Sequence, residues 1–137
     1  MKISILTLLL ITSQAMSANS NPVFGENGMV VSTNRQASEA GIEILKKGGN
    51  AVDAAVAVGF ALAVTSSSNG NIGGGGFMVA AMADGKTFSL DYREMAPESA
   101  HRDLFLNDSG NVVPGMSLGT RAAAGVPGSV DGLLKAF

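Results

Sequence analysis

Apolar and polar positions alternate with two different periods along this chain, and the switches between them mark out its elements. Residues 29–33 (Met-Val-Val-Ser-Thr) read as a short strand. The period then lengthens. Ala37, Ala40, Gly41, Ile44 and Leu45 fall at i, i+3, i+4, i+7 and i+8, one face of a helix. Glu39, Glu43, Lys46 and Lys47 take the opposite face, with Glu43 and Lys47 at the i,i+4 spacing of a direct ion pair. Gly48-Gly49 stops this helix, because glycine accepts left-handed angles. Asn50 is an N-cap for a second helix, and Asp53 sits in its first turn, where the helix dipole favours an anion. Residues 51–64 are almost wholly apolar and rich in alanine, which predicts a helix buried on all sides.

Beyond this helix the pattern becomes strand-like. Residues 66–71 form a loop by composition, and Ile72 leads into four consecutive glycines, Gly73 to Gly76. Two apolar runs, 77–82 and 87–91, flank Asp84-Gly85, a strong hairpin signal. Pro97 ends the second strand's extension and suits the first turn of a short helix. Residues 107–111 (Asn-Asp-Ser-Gly-Asn) predict a turn. Ser129 is placed to cap a last helix through Leu133, Leu134 and Phe137, for which the sequence carries no stop signal.

The N-terminus has its own logic. Lys2, an apolar run over 3–11 and small residues at Ala15 and Ser17 have the form of a secretory signal peptide, 1–17, cleaved before Ala18. The run is shorter than the roughly 20 residues that span a bilayer, so no stable membrane span is expected. Residues 18–27 read as a linker, and 28–137 as the folded portion. The expected address is secreted, in a bacterial periplasm.

Composition narrows the chemistry. Hydrophobic residues make up 46% of the 137 positions and charged ones 15%, below the roughly 25% usual in soluble domains. A net charge of −2 without a basic stripe argues against a nucleic-acid partner. There is no cysteine and a single histidine, His101, so thiolate chemistry and multi-histidine metal sites are excluded within these residues.

Three clusters remain as candidates for chemistry. The glycine run lacks the Gly-x-Gly-x-x-Gly spacing of a dinucleotide site and precedes a strand, which favours a tight lead-in packed against another backbone. Ala80 to Thr87 resembles a relaxed P-loop, but its Gly85-Lys86 falls in the expected hairpin instead of a strand-to-helix turn. In Asp91-Tyr92-Arg93-Glu94, the planar fork of Arg93 suits a carboxylate. A surface pair of small consequence is the equal alternative. Asp91 and Glu94 as an acid/base pair are permitted by type but not selected by spacing.

Three segments together carry a resemblance: Gly48-Gly49-Asn50-Ala51-Val52-Asp53-Ala54-Ala55-Val56-Ala57, then Gly73-Gly74-Gly75-Gly76-Phe77, then Asp91-Tyr92-Arg93-Glu94-Met95-Ala96-Pro97. Val126-Pro127-Gly128-Ser129-Val130 is a weaker fourth. In this order they resemble the N-terminal part of the large subunit of the γ-glutamyltransferase family. The resemblance implies an α+β fold, the αββα sandwich of the N-terminal-nucleophile hydrolases, incomplete in these residues. It implies a precursor that cuts itself into two subunits. A new N-terminal threonine, its own α-amine serving as base, then attacks the γ-glutamyl amide of glutathione. The glutamyl group passes to water, an amino acid or a peptide. Arg93 matches the family arginine that binds the α-carboxylate, and no cofactor or metal is implied.

Two departures stand out. Ser66-Ser67-Ser68 replaces a stretch that in bacterial members often carries proline and glutamine. The family's doubled threonine has no counterpart here, since Thr120 is followed by Arg121. These residues alone are therefore expected to be inactive. The competing readings are a glutaryl-type (cephalosporin) acylase relative, whose substrate keeps a carboxylate, and a non-catalytic remnant or binding domain.

Overall fold

A computed structural model of the chain describes residues 22–137. The expected signal peptide and the first part of the linker lie outside the described residues. Residues 22–34 contain no regular element, and the strand expected over 29–33 is absent. Among the described residues no strand pairs with this segment. The segment lies instead along the helices, with Val30 against Gly41.

Helix α1 spans Arg35–Lys46. Asn34 caps it, its side chain accepting from the amides of Gln36 and Ala37 at 3.0 and 3.4 Å. Glu43 pairs with Lys46 at 2.9 Å, not with Lys47, and Glu39 pairs with Arg35 at 2.8 Å. Lys47 is the C-cap, where its backbone leaves the helix, which takes it out of the i,i+4 geometry. Gly48, at φ +92°, supplies the left-handed residue of the stop.

Helix α2 spans Ala51–Thr65 and opens with a complete capping box. The Asn50 side chain accepts from the amides of Val52 and Asp53, and Asp53 accepts from the amide of Asn50 at 2.8 Å. The two helices pack closely because Gly41 has no side chain. A Cβ there would stand 2.8 Å from a Val58 methyl and 2.9 Å from one of Val30.

The expectation that α2 is buried all round is corrected. Val52, Ala54 and Val56 are buried, but Phe60 is 37% exposed and Val64 83% exposed. The described residues supply a neighbour for only part of this apolar helix. The rest of the apolar inventory behaves alike. Phe77 and Val79 on one strand and Leu118 and Leu134 further on are all exposed, and among the described residues no large side chain is fully buried.

Strands β1 (Phe77–Ala81) and β2 (Thr87–Asp91) form an antiparallel hairpin in the register Phe77 to Asp91 and Ala81 to Thr87. The Met82 amide donates to the Lys86 carbonyl at 2.7 Å, leaving a three-residue loop whose last member, Gly85, sits at φ +85°. The hairpin disposes of the P-loop resemblance. Lys86 reaches Asp84 at 2.8 Å on the surface and holds that carboxyl below its ordinary range, chiefly by the side-chain hydrogen bond. A lowered carboxyl contributes above its ordinary titration range, and the contribution is lost as pH falls through the lowered value.

After Pro97 the chain makes hydrogen-bonded turns, such as Ala100 N–H to Pro97 C=O at 2.8 Å, in place of the short helix expected there. Pro97 fixes its own φ but no following apolar stripe sustains a helix. The turn at 107–111 is present, with Asn107 Oδ1 accepting from Ser109 and Asn111. A single-turn helix α3 (Met116–Gly119) and a 3₁₀ turn (Arg121–Ala123) lead to helix α4, Ser129–Ala136. Ser129 is the first residue of α4 and not its cap. Gly128 holds the cap position, without a side-chain cap bond.

Two outcomes follow. Replacing Asn50 by Ala removes one side of the capping box and costs about 1 kcal/mol. Hydrogen exchange at the amides of Val52 and Asp53 should quicken accordingly. The isolated segment 22–137, with so little fully buried, should melt broadly and bind a hydrophobic dye in the cold. A sharp cooperative transition with no dye binding contradicts this.

Candidate functional site

The site is built where the hairpin ladder runs on past both strands. Gly76 and Tyr92 exchange backbone hydrogen bonds at 3.3 and 3.0 Å, extending the pairing by one residue. The next residue, Gly75, lies directly on the Tyr92–Glu94 backbone. A Cβ on Gly75 would be 2.5 Å from the Tyr92 carbonyl oxygen, 2.7 Å from the Glu94 nitrogen and 2.8 Å from the Arg93 carbonyl carbon. The glycine run is thus a lead-in packed against another backbone, as its position before a strand suggested.

A second wall closes the other side. Met95 and Val126 exchange backbone bonds at 3.2 and 2.8 Å. Gly128 then faces Tyr92 so closely that a Cβ would overlap the Tyr92 carbonyl, with the Arg93 oxygen at 3.1 Å. The amides of Gly128 and Ser129, at the start of α4, both donate to the Gly74 carbonyl at 2.9 and 3.0 Å. One turn on, Gly132 makes room for the Tyr92 ring. Two glycine-bearing walls therefore hold residues 92–94, and each wall is hydrogen-bonded to the other.

A cleft of about 320 Å³ opens beside this clamp, lined by Asn69, Asn71, Gly74, Gly75, Tyr92 and Glu94, with Ser129, Leu62 and Leu133 deeper in. Arg93 is not one of its lining residues. Its side chain is 70% exposed, with Nε 3.7 Å from Glu94 Oε2. Glu94 thus joins the cleft to the guanidinium. Asp91 is turned away to the backbone, its Oδ1 accepting from the Arg93 amide at 3.0 Å. The pairing of Asp91 with Glu94 as acid and base gains nothing from this arrangement.

The other sequence candidates separate. Ser66 Oγ donates to Asn69 Oδ1 at 2.5 Å, and Asn69 lines the cleft whereas Ser66, Ser67 and Ser68 do not. Thr120 donates to the Met116 carbonyl at 2.7 Å and plays a local role. His101 lines a separate surface hollow beside Pro97 and Phe105. Among the described residues, no group of three His, Asp or Glu side chains is gathered to hold a metal ion, and no helix is long and apolar enough to cross a membrane.

Sequence reasoning passed over Asn69, Asn71, Tyr92 and Ser129. The available signal was the glycine spacing. Gly128 at the helix cap and Gly132 one turn on leave room for a neighbour, which is the backbone and the side chain of Tyr92.

A glycine loop bonded under a strand end, with an arginine beside a cleft, is the local architecture of this α+β segment. Residues 37–137 match the family described as gamma-glutamyltranspeptidase. The chain is 53% identical over 117 residues to the glutathione hydrolase proenzyme of Pseudomonas sp. strain A14, covering 85% of this chain and 20% of that protein. It is 54% identical over 117 residues to the glutathione hydrolase proenzyme of Escherichia coli K12, with the same coverage. The crystal structure of Helicobacter pylori gamma-glutamyltranspeptidase superposes with a TM-score of 0.76 at 50% identity, over 82% of this chain and 32% of that one. This chain belongs to the gamma-glutamyltranspeptidase family and matches the N-terminal part of its large subunit. It spans about a fifth of the length of the curated relatives it matches.

The Arg93–Glu94 contact is long and solvated, so it contributes little to stability. Glu94→Gln in the full-length protein should change the unfolding free energy by less than about 1 kcal/mol in a denaturant titration.

Proposed function

We propose that these residues form the donor-recognition corner of an exported enzyme that cleaves the γ-glutamyl amide of glutathione. It passes the glutamyl group to water, an amino acid or a peptide. Arg93 binds the α-carboxylate of the γ-glutamyl group. The nucleophile is the N-terminal threonine of a small subunit released from the same precursor, with its own α-amine as base, and that residue lies outside this chain. The complete protein has the αββα architecture of the N-terminal-nucleophile hydrolases. The bare apolar surfaces of α2 and the hairpin support this, because a sandwich needs a second layer over each.

One observation carries the reading. The backbone of residue 93 is locked from two sides, while its side chain stays 70% exposed. A fixed backbone with a free planar fork is the arrangement that bidentate carboxylate binding requires. The names of the relatives supply the substrate class, and the apolar run ahead of the described residues supports export.

The test is kinetic. In the full-length precursor, Arg93→Ala should lower kcat/KM for a γ-glutamyl anilide by about 100-fold. That corresponds to roughly 2.8 kcal/mol, the upper part of the range for a charged hydrogen bond. Cleavage into two subunits should be unaffected. An Arg93→Ala protein that matures and turns over the anilide at the normal rate contradicts the assignment.

A further inference from the structure

We propose that Gly75 and Gly128 are positioning residues for Arg93, and that together they set the enzyme's preference for donors that carry an α-carboxylate. The inference rests on the proposed role of Arg93 and adds the means by which that side chain is aimed.

The geometry is specific to these glycines. The carbonyl of Tyr92 lies between the two Cα atoms, so a methyl on either would meet main chain. At Gly75 the nearest atoms are Tyr92 O at 2.5 Å and Glu94 N at 2.7 Å; at Gly128 they are Tyr92 O and Tyr92 C. A flexible side chain can swing aside from an added methyl, but a peptide unit can only move as a whole. Moving it carries the Cα of Arg93 with it. Neither glycine is needed for its backbone angles, since neither has a positive φ, so the requirement is space alone. Gly132 serves the same clamp one turn on. A Cβ there would overlap the Tyr92 ring and press on residue 92 through its side chain.

The consequence is chemical. A bidentate arginine–carboxylate pair depends on direction as well as distance. A displacement near 1 Å from a remote substitution costs up to about 100-fold in a well-aligned site. The loss should fall on donors whose α-carboxylate uses Arg93. A donor without that group gains nothing from Arg93 and loses nothing when it moves.

The experiment compares two anilides in the full-length, processed protein. One is the γ-glutamyl anilide, and the other is the 4-aminobutanoyl anilide, the same donor without its α-carboxylate. The readout is the ratio of their kcat/KM values. Gly75→Ala and Gly128→Ala should lower this ratio roughly ten- to a hundredfold, with the decarboxylated donor turned over at its normal rate. Gly119→Ala, at an open position, should leave it unchanged. Gly132→Ala presses on the Tyr92 side chain, at its ring and its Cβ, and decides the matter if the first two variants fail to accumulate. A processed Gly75, Gly128 or Gly132 variant with the normal ratio overturns the inference. Failure of all three to accumulate assigns the glycines to folding and overturns it equally. Arg93→Ala separates this claim from the one beneath it. If that variant keeps the normal ratio, Arg93 does not read the carboxylate. If it loses the ratio while the glycine variants keep it, only the positioning claim fails.

Discussion

The close packing of the Tyr92–Glu94 backbone between Gly75 and Gly128 is the constraint on which the rest of this structure depends. Four elements meet there. The hairpin supplies the extended segment, the glycine run lies under it, and the start of α4 closes the far side. The turn after α2 brings Asn69 and Asn71 to the open edge. Glycines are required because main chain meets main chain. The Gly74 carbonyl, accepting from two α4 amides, ties the two walls into one unit. A helix N-terminus is a natural place for such an acceptor, because its first amides have no partner within the helix.

This segment has a small core. Its order is concentrated in backbone hydrogen bonds and glycine contacts around residues 74–76, 92–95 and 126–129, and in the capped pair α1 and α2. The apolar surface beyond that is open. Phe77, Val79, Val64 and Leu134 face solvent in this segment, and they are the positions a second layer would cover. In its relatives the matched region is about a fifth of the protein.

Much of the local structure was legible in the residues. Asn50 announced a helix cap, Asp84-Gly85 a hairpin, and Gly48-Gly49 a helix stop, because each depends on chemistry within a few positions. The Glu43–Lys47 pair, the Ser129 cap and the helix after Pro97 failed locally, whereas the larger misreadings involve longer range. Residues 29–33 read as a strand but form none, and Val30 lies against Gly41 of a helix instead. Residues 51–64 are apolar enough for a buried helix, yet burial needs neighbours that the described residues do not all provide. In the candidate site, Arg93 stood out by type, whereas Tyr92 did not. Its significance lies in Gly128 and Gly132, some forty residues away, and the sequence carries that relation only as two glycines, one at the helix cap and one a turn on.

The central claim is that a backbone fixed by glycine packing aims Arg93 at a carboxylate. A crystal structure of the full-length protein with glutamate bound tests it most directly. The account predicts both carboxylate oxygens about 2.8 Å from the Arg93 guanidinium nitrogens, with residues 92–95 still lying between Gly75 and Gly128. A glutamate whose α-carboxylate is held elsewhere, or a 92–95 segment that has left the glycine clamp, would contradict it.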